Sequence, residues 1–261
     1  IPNVADGERD ALISQLSAKT KEEESLRERL ADATAAMDTL LRQLPNFPSA
    51  DVPAGHGQDE NEVVKTVGKV PAFAFTPLDH LTLGKNLGII DTETAGTVSG
   101  ARFGYLLREA ALLQFALVQY AFSVLTDSTV LKKIISDNKL DVTAAPFVPV
   151  VPPVLIKEEI LDKMARLEPK EERYYLPHDQ LYLVGSAEHT MGPLHINETL
   201  PESSFPIRYV GYSTAFRREA GSYGKDTKGI FRVHQFDKIE IESFTTPIQS
   251  NQEQNFIIAI Q

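Results

Sequence analysis

Two runs decide the fold. The first is Phe205-Pro206-Ile207-Arg208-Tyr209-Val210-Gly211-Tyr212-Ser213-Thr214-Ala215-Phe216-Arg217-Arg218-Glu219, and the second is Ile230-Phe231-Arg232-Val233-His234-Gln235-Phe236-Asp237-Lys238-Ile239-Glu240-Ile241-Glu242. Both read as strands, in which successive side chains point to opposite faces. Between Arg208 and Glu219 the even positions Val210, Tyr212 and Phe216 are bulky and predict a buried face. On the odd positions Gly211, Ser213 and Ala215 are small, and the run ends in Arg217 and Glu219. Small residues leave room above a sheet for a ligand, and Arg217 and Glu219, two apart, would face that space. In the second run Phe231, Val233, Ile239 and Ile241 make an apolar face. Arg232, His234, Phe236, Lys238 and Glu240 make the other, with cations, an aromatic plate and a carboxylate. A half-solvated strand also carries a polar outer face, but a Phe among those charges departs from that pattern.

The connection Ala220 to Gly229 is too long for a tight hairpin and is rich in Gly and Lys, a composition common in functional loops. From 217 to 238, six Lys/Arg face three acids, a local charge of +3 in a chain of net charge -10. The global balance argues against a nucleic-acid binder; the local patch reverses that reading. Leu181 to Glu188 reads as a strand ending with Ser186 and Glu188 on one face, where a carboxylate could hold an ammonium group.

Working outward, 261 residues make one large domain or two small ones. With 42% hydrophobic and 24% charged residues the chain has an ordinary globular composition, which excludes a mostly disordered or low-complexity protein. The absence of cysteine excludes disulfides, thiolate metal sites and a cysteine nucleophile. Ala110 to Leu125 is the most apolar stretch, too short for a membrane span, and reads as a core or interface helix.

Residues 8–44 read as one long helix. Its seam of Leu12, Leu16, Lys19, Glu23, Leu26, Leu30, Ala33, Met37, Leu40 and Leu44 follows a heptad and predicts a coiled coil. Pro45, Pro48 and Pro53 end it and open a linker over 45–70, with a short strand expected at Glu62 to Val67. His80 reads as a local polar or packing residue. The proline-rich run 144–153 predicts an extended edge strand. Helices first and antiparallel-type strands after them make an α+β chain. The chain starts at Ile1, not Met, and stops inside the apolar run Phe256 to Ile260, so both ends read as cut.

Several segments together resemble the class II seryl-tRNA synthetase family: Gly185-Ser186-Ala187-Glu188, Phe205 to Tyr209, Phe216 to Ser222 and Phe231 to Glu240. The N-terminal helix resembles half of that family's tRNA-binding arm, Thr97 to Phe103 resembles a family segment, and the strand ending at Pro152-Pro153 resembles motif 1. The resemblance covers nearly the whole chain. It implies a class II antiparallel sheet flanked by helices (71–261), a partial coiled-coil arm (1–44), and homodimerisation through the region of Pro152 and Pro153. It also implies a cytoplasmic ligase that activates L-serine with ATP and Mg²⁺ and charges tRNA(Ser), with no membrane partner and no metal held beyond the one ATP carries.

Residue by residue, the resemblance makes Arg217 and Arg232 the catalytic cations, Arg217 bridging the α-phosphate and the serine carboxylate and Arg232 meeting the distal phosphates. Arg218, Glu219, Val233 and Phe236 join them on ATP, Glu219 accepting from the adenine amino group and Phe236 stacking on the ring. Ser186, Ala187, Glu188 and Glu240, with Arg217, would hold serine. Gly221, Ser222, Lys225 and Lys228 in the loop, and Arg27 and Arg29 on the arm, would touch tRNA. Two features depart from the family. Ser186 stands where the family has Thr, losing a methyl but keeping the hydroxyl. Nothing after Glu240 supplies motif 3 and its ATP-clamping arginine, so the chain is expected to be an incomplete catalyst. A catalytically reduced relative and a ligase loading a carrier protein are the alternatives; retained site residues oppose the first and the heptad helix opposes the second.

Overall fold

Helix α1 runs from Asp6 to Gln43, 38 residues without Gly or Pro after its first turn. At about 1.5 Å per residue it is roughly 57 Å long. Its apolar seam stands open, with Leu16, Leu30 and Leu40 each about two-thirds exposed. Short-range pairs such as Arg27–Glu23 at 2.8 Å stitch its surface. The structure is a computed structural model, and it describes residues 6–50, 52–219 and 229–261. The chain divides into two compact units, Ile1–Ala72 and Phe73–Gln261. The strand expected over 62–67 does not form. Val63, Val64 and Val67 are more than four-fifths exposed, and no neighbouring strand offers a ladder there. Without cross-strand partners a β-branched run stays irregular.

The second unit begins with α2 (His80–Asn86), capped by Asp79, whose carboxylate accepts from the amides of Leu81 and Thr82. Then follow β1 (Ile90–Asp91), α3 (Glu93–Ser99) and β2 (Tyr105–Leu106). Next are α4 (Arg108–Leu125), α5 (Ser128–Asp137), β3 (Val148–Val150), β4 (Leu155–Lys157) and α6 (Glu158–Lys163). After β5 (Tyr175–Leu176), β6 (Leu181–Leu183) and the single turn α7 (Glu188–Met191) come the two long strands β7 (Ile207–Phe216) and β8 (Gln235–Phe244), and then α8 (Ser250–Ile260). No single helix among the described residues is long and apolar enough to cross a membrane.

The site-bearing sheet has the order β3-β7-β8. β7 and β8 pair antiparallel along their full lengths, and β3 adds a parallel edge. That edge carries Pro149, tolerated where one ladder of hydrogen bonds is missing. A smaller antiparallel sheet, β4-β6-β5, lies beside its own core of Ile156, Leu161, Leu167, Tyr182 and Val184.

Register sorts the faces. Arg208, Val210, Tyr212 and Thr214 lie opposite Ser243, Ile241, Ile239 and Asp237. This face meets Leu125, Leu131, Phe147 and Phe256, the main core. Inside it Arg208 and Glu253, 2% and 3% exposed, form a two-pronged ion pair. On the other face Gly211, Ser213 and Ala215 lie opposite Glu240, Lys238 and Phe236. The small residues of β7 are themselves buried, which corrects the expectation of one buried and one open face. Above Gly211 the space is filled by Met191, whose sulfur would lie 1.9 Å from an added Cβ. The open part of this face lies farther along, toward Phe236.

Two strand readings are shortened. The segment 230–234 is a series of bends, because the amide of Ile230 donates to His80 Nε2 (3.3 Å) rather than to a neighbouring strand. Phe231 packs against that same imidazole in a tilted arrangement, with centroids 4.2 Å apart and the planes at 59°. Likewise the strand expected over 181–188 ends at Leu183, and the chain turns at Gly185 into α7.

Candidate active site

Beyond the end of β7 the backbone of Arg217 is pinned to the incoming β8 segment. Its amide donates to the His234 carbonyl (3.0 Å), and His234 Nδ1–H donates back to the Arg217 carbonyl (2.9 Å). The guanidinium is thereby aimed from a fixed base. Arg217 Nε donates to the Gly185 carbonyl (3.0 Å), and its guanidinium carbon lies 5.3 Å from the Phe236 ring centroid. Two residues on, Glu219 adopts a left-handed backbone (φ 53°), an uncommon conformation for a residue with a side chain. The turn puts its carboxylate 2.8 Å from Arg232 Nη1, while its carbonyl accepts from Arg102 Nη1 (3.0 Å).

Arg217, Glu219, Arg232, Val233 and Phe236, together with Ile230 and Phe231, line one pocket of about 360 Å³. All five of the first group carry nucleotide roles by resemblance. The pocket has a flat aromatic floor, two guanidinium groups and one carboxylate, a set suited to a planar base joined to a phosphate chain. Arg218 is not brought there. Neighbouring residues on an extended chain point to opposite sides, and its guanidinium lies over Tyr174 at 5.0 Å, beside a separate depression that also holds Glu171 and His234.

Farther along the same face of β8 stand Lys238 and Glu240. Lys238 Nζ lies 2.6 Å from Glu240 and donates to Ser186 Oγ (3.2 Å), and the Ser186 hydroxyl donates to Glu240. Ser186 and Ala187 are buried at the start of α7, Ala187 as its N-cap. Glu188 stands on the first turn of that helix and is held by Arg166 at 2.8 Å, so it is part of the wall through a cation that sequence reading did not single out. The amino-acid residues expected by resemblance, Ser186, Ala187, Glu188 and Glu240, therefore gather beside the middle of β8, at Glu240. Phe236 stands about 14 Å from Glu240 along the strand, four residues at about 3.4 Å each.

Four side chains escaped the sequence reading: Arg102 beside Glu219, and Arg166, His189 and Glu242 near the Ser186 cluster. Only Arg102 left a trace, within the family-like segment Thr97 to Phe103. Glu242 lies on the Glu240 face, opposite Tyr209. Burial, then the Glu188 and Glu240 carboxylates, push it up to about 7. A carboxyl raised in the folded state binds extra protons there, so stability falls as pH rises from the ordinary carboxylate range through 7. Glu242→Gln is expected to remove this slope. At pH 8 it should raise stability by about 1–2 kcal/mol after allowance for partial exposure, with little effect at pH 4. Urea unfolding of both proteins at the two pH values measures it.

Gly221, Ser222, Lys225 and Lys228 lie outside the described residues. Arg27 and Arg29 stand on the exposed surface of α1, Arg27 engaged with Glu23. Among the described residues no three His, Asp or Glu side chains converge as a metal site.

Residues 173–260 match the tRNA synthetase class II core domain (G, H, P, S and T). The chain is 42% identical over 256 residues to the serine–tRNA ligase of Thermobifida fusca and 41% identical to that of Nocardia farcinica, in each case over 97% of its own length. It spans 56% of the length of these curated relatives. Among solved structures, seryl-tRNA synthetase from Pyrococcus horikoshii complexed with ATP superposes with a TM-score of 0.81 at 31% identity, over 95% of this chain and 57% of that one. The cytoplasmic serine–tRNA ligase from Naegleria fowleri in complex with AMP gives 0.76 at 28% identity, over 97% and 56%. Along 97% of its length the chain is similar to serine–tRNA ligases, it shares the fold of two of them, and its residues 173–260 carry the class II synthetase core.

Proposed function

We propose that the full-length protein containing this chain activates L-serine with ATP, releasing pyrophosphate, and passes the seryl group to the terminal ribose of tRNA(Ser). The observation that carries this reading is one sheet face with two adjoining sites. One is the pocket of Arg217, Glu219, Arg232, Val233 and Phe236; the other is the cluster of Ser186, Lys238 and Glu240. Two structural relatives of this fold hold ATP and AMP.

In this reading the adenine lies on Phe236 and its amino group donates to Glu219. Arg217 stands between the base and the amino acid, where it meets both the α-phosphate and the serine carboxylate. The serine carboxylate, already ionised, attacks the α-phosphorus, so no general base is needed. The oxygen–phosphorus bond to pyrophosphate breaks, and Arg217 and Arg232 stabilise the negative charge that collects on the phosphate oxygens. Mg²⁺ would arrive on the ATP phosphates and offset their charge. Glu240 and Glu188 would receive the ammonium and hydroxyl groups of serine. The loop 221–228 and the basic residues of α1 would meet tRNA by shape and phosphate contacts, in the cytoplasm. Homodimerisation is part of the same reading. It is supported by the open apolar face of α4, on which Leu112, Phe115 and Tyr120 are each 60% exposed or more.

A site that hydrogen-bonds a substrate hydroxyl rejects the analogue lacking it, because a buried acceptor is left unpaired. Serine-dependent ATP–pyrophosphate exchange is therefore expected to exceed alanine-dependent exchange by about 10³-fold or more in kcat/KM. Equal exchange with both amino acids, or none with serine, defeats the reading. Charging of tRNA(Ser) then separates a synthetase from a ligase that loads a carrier protein.

A further inference from the structure

His189 is 4% exposed and lies in α7, under the turn that bears Ser186. Its Nδ1 accepts the Gly185 amide at 3.2 Å. The same glycine's carbonyl accepts Arg217 Nε at 3.0 Å. One residue therefore has its N–H held by His189 and its C=O holding Arg217. The space beside Gly185 is occupied: an added Cβ would meet Arg173 Nη1 at 3.2 Å, His189 Cε1 at 3.4 Å and the Phe216 carbonyl at 3.5 Å. The next residue is Ser186, whose hydroxyl is shared by Lys238 and Glu240.

We infer that His189 is a positioning residue: as a neutral Nδ1 acceptor it fixes the Gly185–Ser186 turn, and through Gly185 it sets the Arg217 guanidinium against Phe236. This inference deepens the proposed serine activation and rests on that reading for its kinetic consequence. Accepting at Nδ1 requires the Nε2–H tautomer, and a doubly protonated ring would turn the acceptor into a donor facing another donor. The surroundings oppose that protonation. Burial, then the Arg173 guanidinium, push His189 down to about 4; Arg166 and Arg217 act in the same direction, and only Glu188 opposes them. Across the neutral range the acceptor is therefore constant, and Arg217 does not depend on pH through this route.

Two variants of the full-length protein separate positioning from bulk stability. His189→Leu keeps an apolar volume and removes the acceptor, whereas His189→Gln retains an amide oxygen able to accept the Gly185 amide. H189L is expected to lower kcat/KM for serine in pyrophosphate exchange by about 10²-fold, as a small displacement of a positioned charge does. H189Q should recover most of that loss even where its melting temperature is as low as that of H189L. Nitrogen NMR of the wild type gives a readout independent of turnover. His189 should be a neutral Nε2–H ring at pH 6, and the Arg217 Nε–H should be protected from solvent exchange, with that protection lost in H189L. A protonated ring at pH 6, an unprotected Arg217 Nε–H in the wild type, or equal losses in H189L and H189Q would overturn the inference. Absence of serine-dependent exchange in the wild type, with the NMR results as expected, would instead defeat the functional reading and leave the positioning of Arg217 by His189 standing.

Discussion

Replacing Arg217 by alanine is expected to lower serine-dependent ATP–pyrophosphate exchange by about 10³-fold while leaving the fold intact. The magnitude follows from its task. A fixed cation directed at developing phosphate charge typically contributes 10³–10⁵-fold, and a single oxyanion donor about 10²–10³-fold. The fold should survive because the contacts that place residue 217 are made by its backbone. The amide donates to the His234 carbonyl and the carbonyl accepts from His234 Nδ1–H, and neither bond needs the side chain. What is lost is the Nε–H bond to Gly185 and the contact over Phe236. Lysine should rescue poorly, since a point charge has no planar fork to hold the Gly185 carbonyl and a phosphate together. Exchange kinetics with a thermal melt beside them decide the matter. Activity within tenfold of the wild type would remove Arg217 from the centre of the site.

The second large effect is on stability. Glu253→Ala is expected to cost about 3–5 kcal/mol, because it leaves Arg208 charged and buried with half its partners gone. Arg208 keeps the Thr143 and Ala145 carbonyls, at 2.8 and 2.9 Å, and its contacts over the rings of Phe256 and Phe147, 4.5 and 5.6 Å from the centroids. Ser243 Oγ also loses its acceptor. By contrast, Arg208→Met with Glu253→Leu should cost far less, since desolvating two charges offsets most of what their pairing contributes. Urea unfolding of the single and double variants separates these outcomes. A cost below about 1 kcal/mol for Glu253→Ala would mean that water reaches Arg208 in the folded state.

The pairing of Arg208 with Glu253 marks where sequence reading stops. The alternation around Arg208 puts it on the same face as Val210, and that much is local. Nothing local says that a glutamate 45 residues on, in a helix after the next strand, will neutralise it. The same holds for Ser186 and Glu240, 54 residues apart, and for Arg217 and Gly185. The misread segment 230–234 shows the converse. Phe231 and Val233 alternate correctly for a strand, yet His80, brought in from 150 residues upstream, takes the Ile230 amide and the Phe231 ring. The short strand expected at 62–67 failed for want of a neighbour, since β propensity expresses itself only against a partner strand.

By itself the sequence determined the local periods and the chemistry carried on them. It set the long heptad helix, the alternation along β7 and β8, and Phe236, Lys238 and Glu240 sharing one face. These follow from geometry repeated every two or 3.6 residues, which a chain carries without knowing its neighbours. Which small residues oppose which charges, and that Met191 fills the space over Gly211, came only with the tertiary structure. It alone brought Arg166 to Glu188 and the Arg217 guanidinium to the Gly185 carbonyl. Those outcomes depend on register and on contacts between segments far apart in the chain, where burial and charge pairing select one arrangement from many that the local pattern allows.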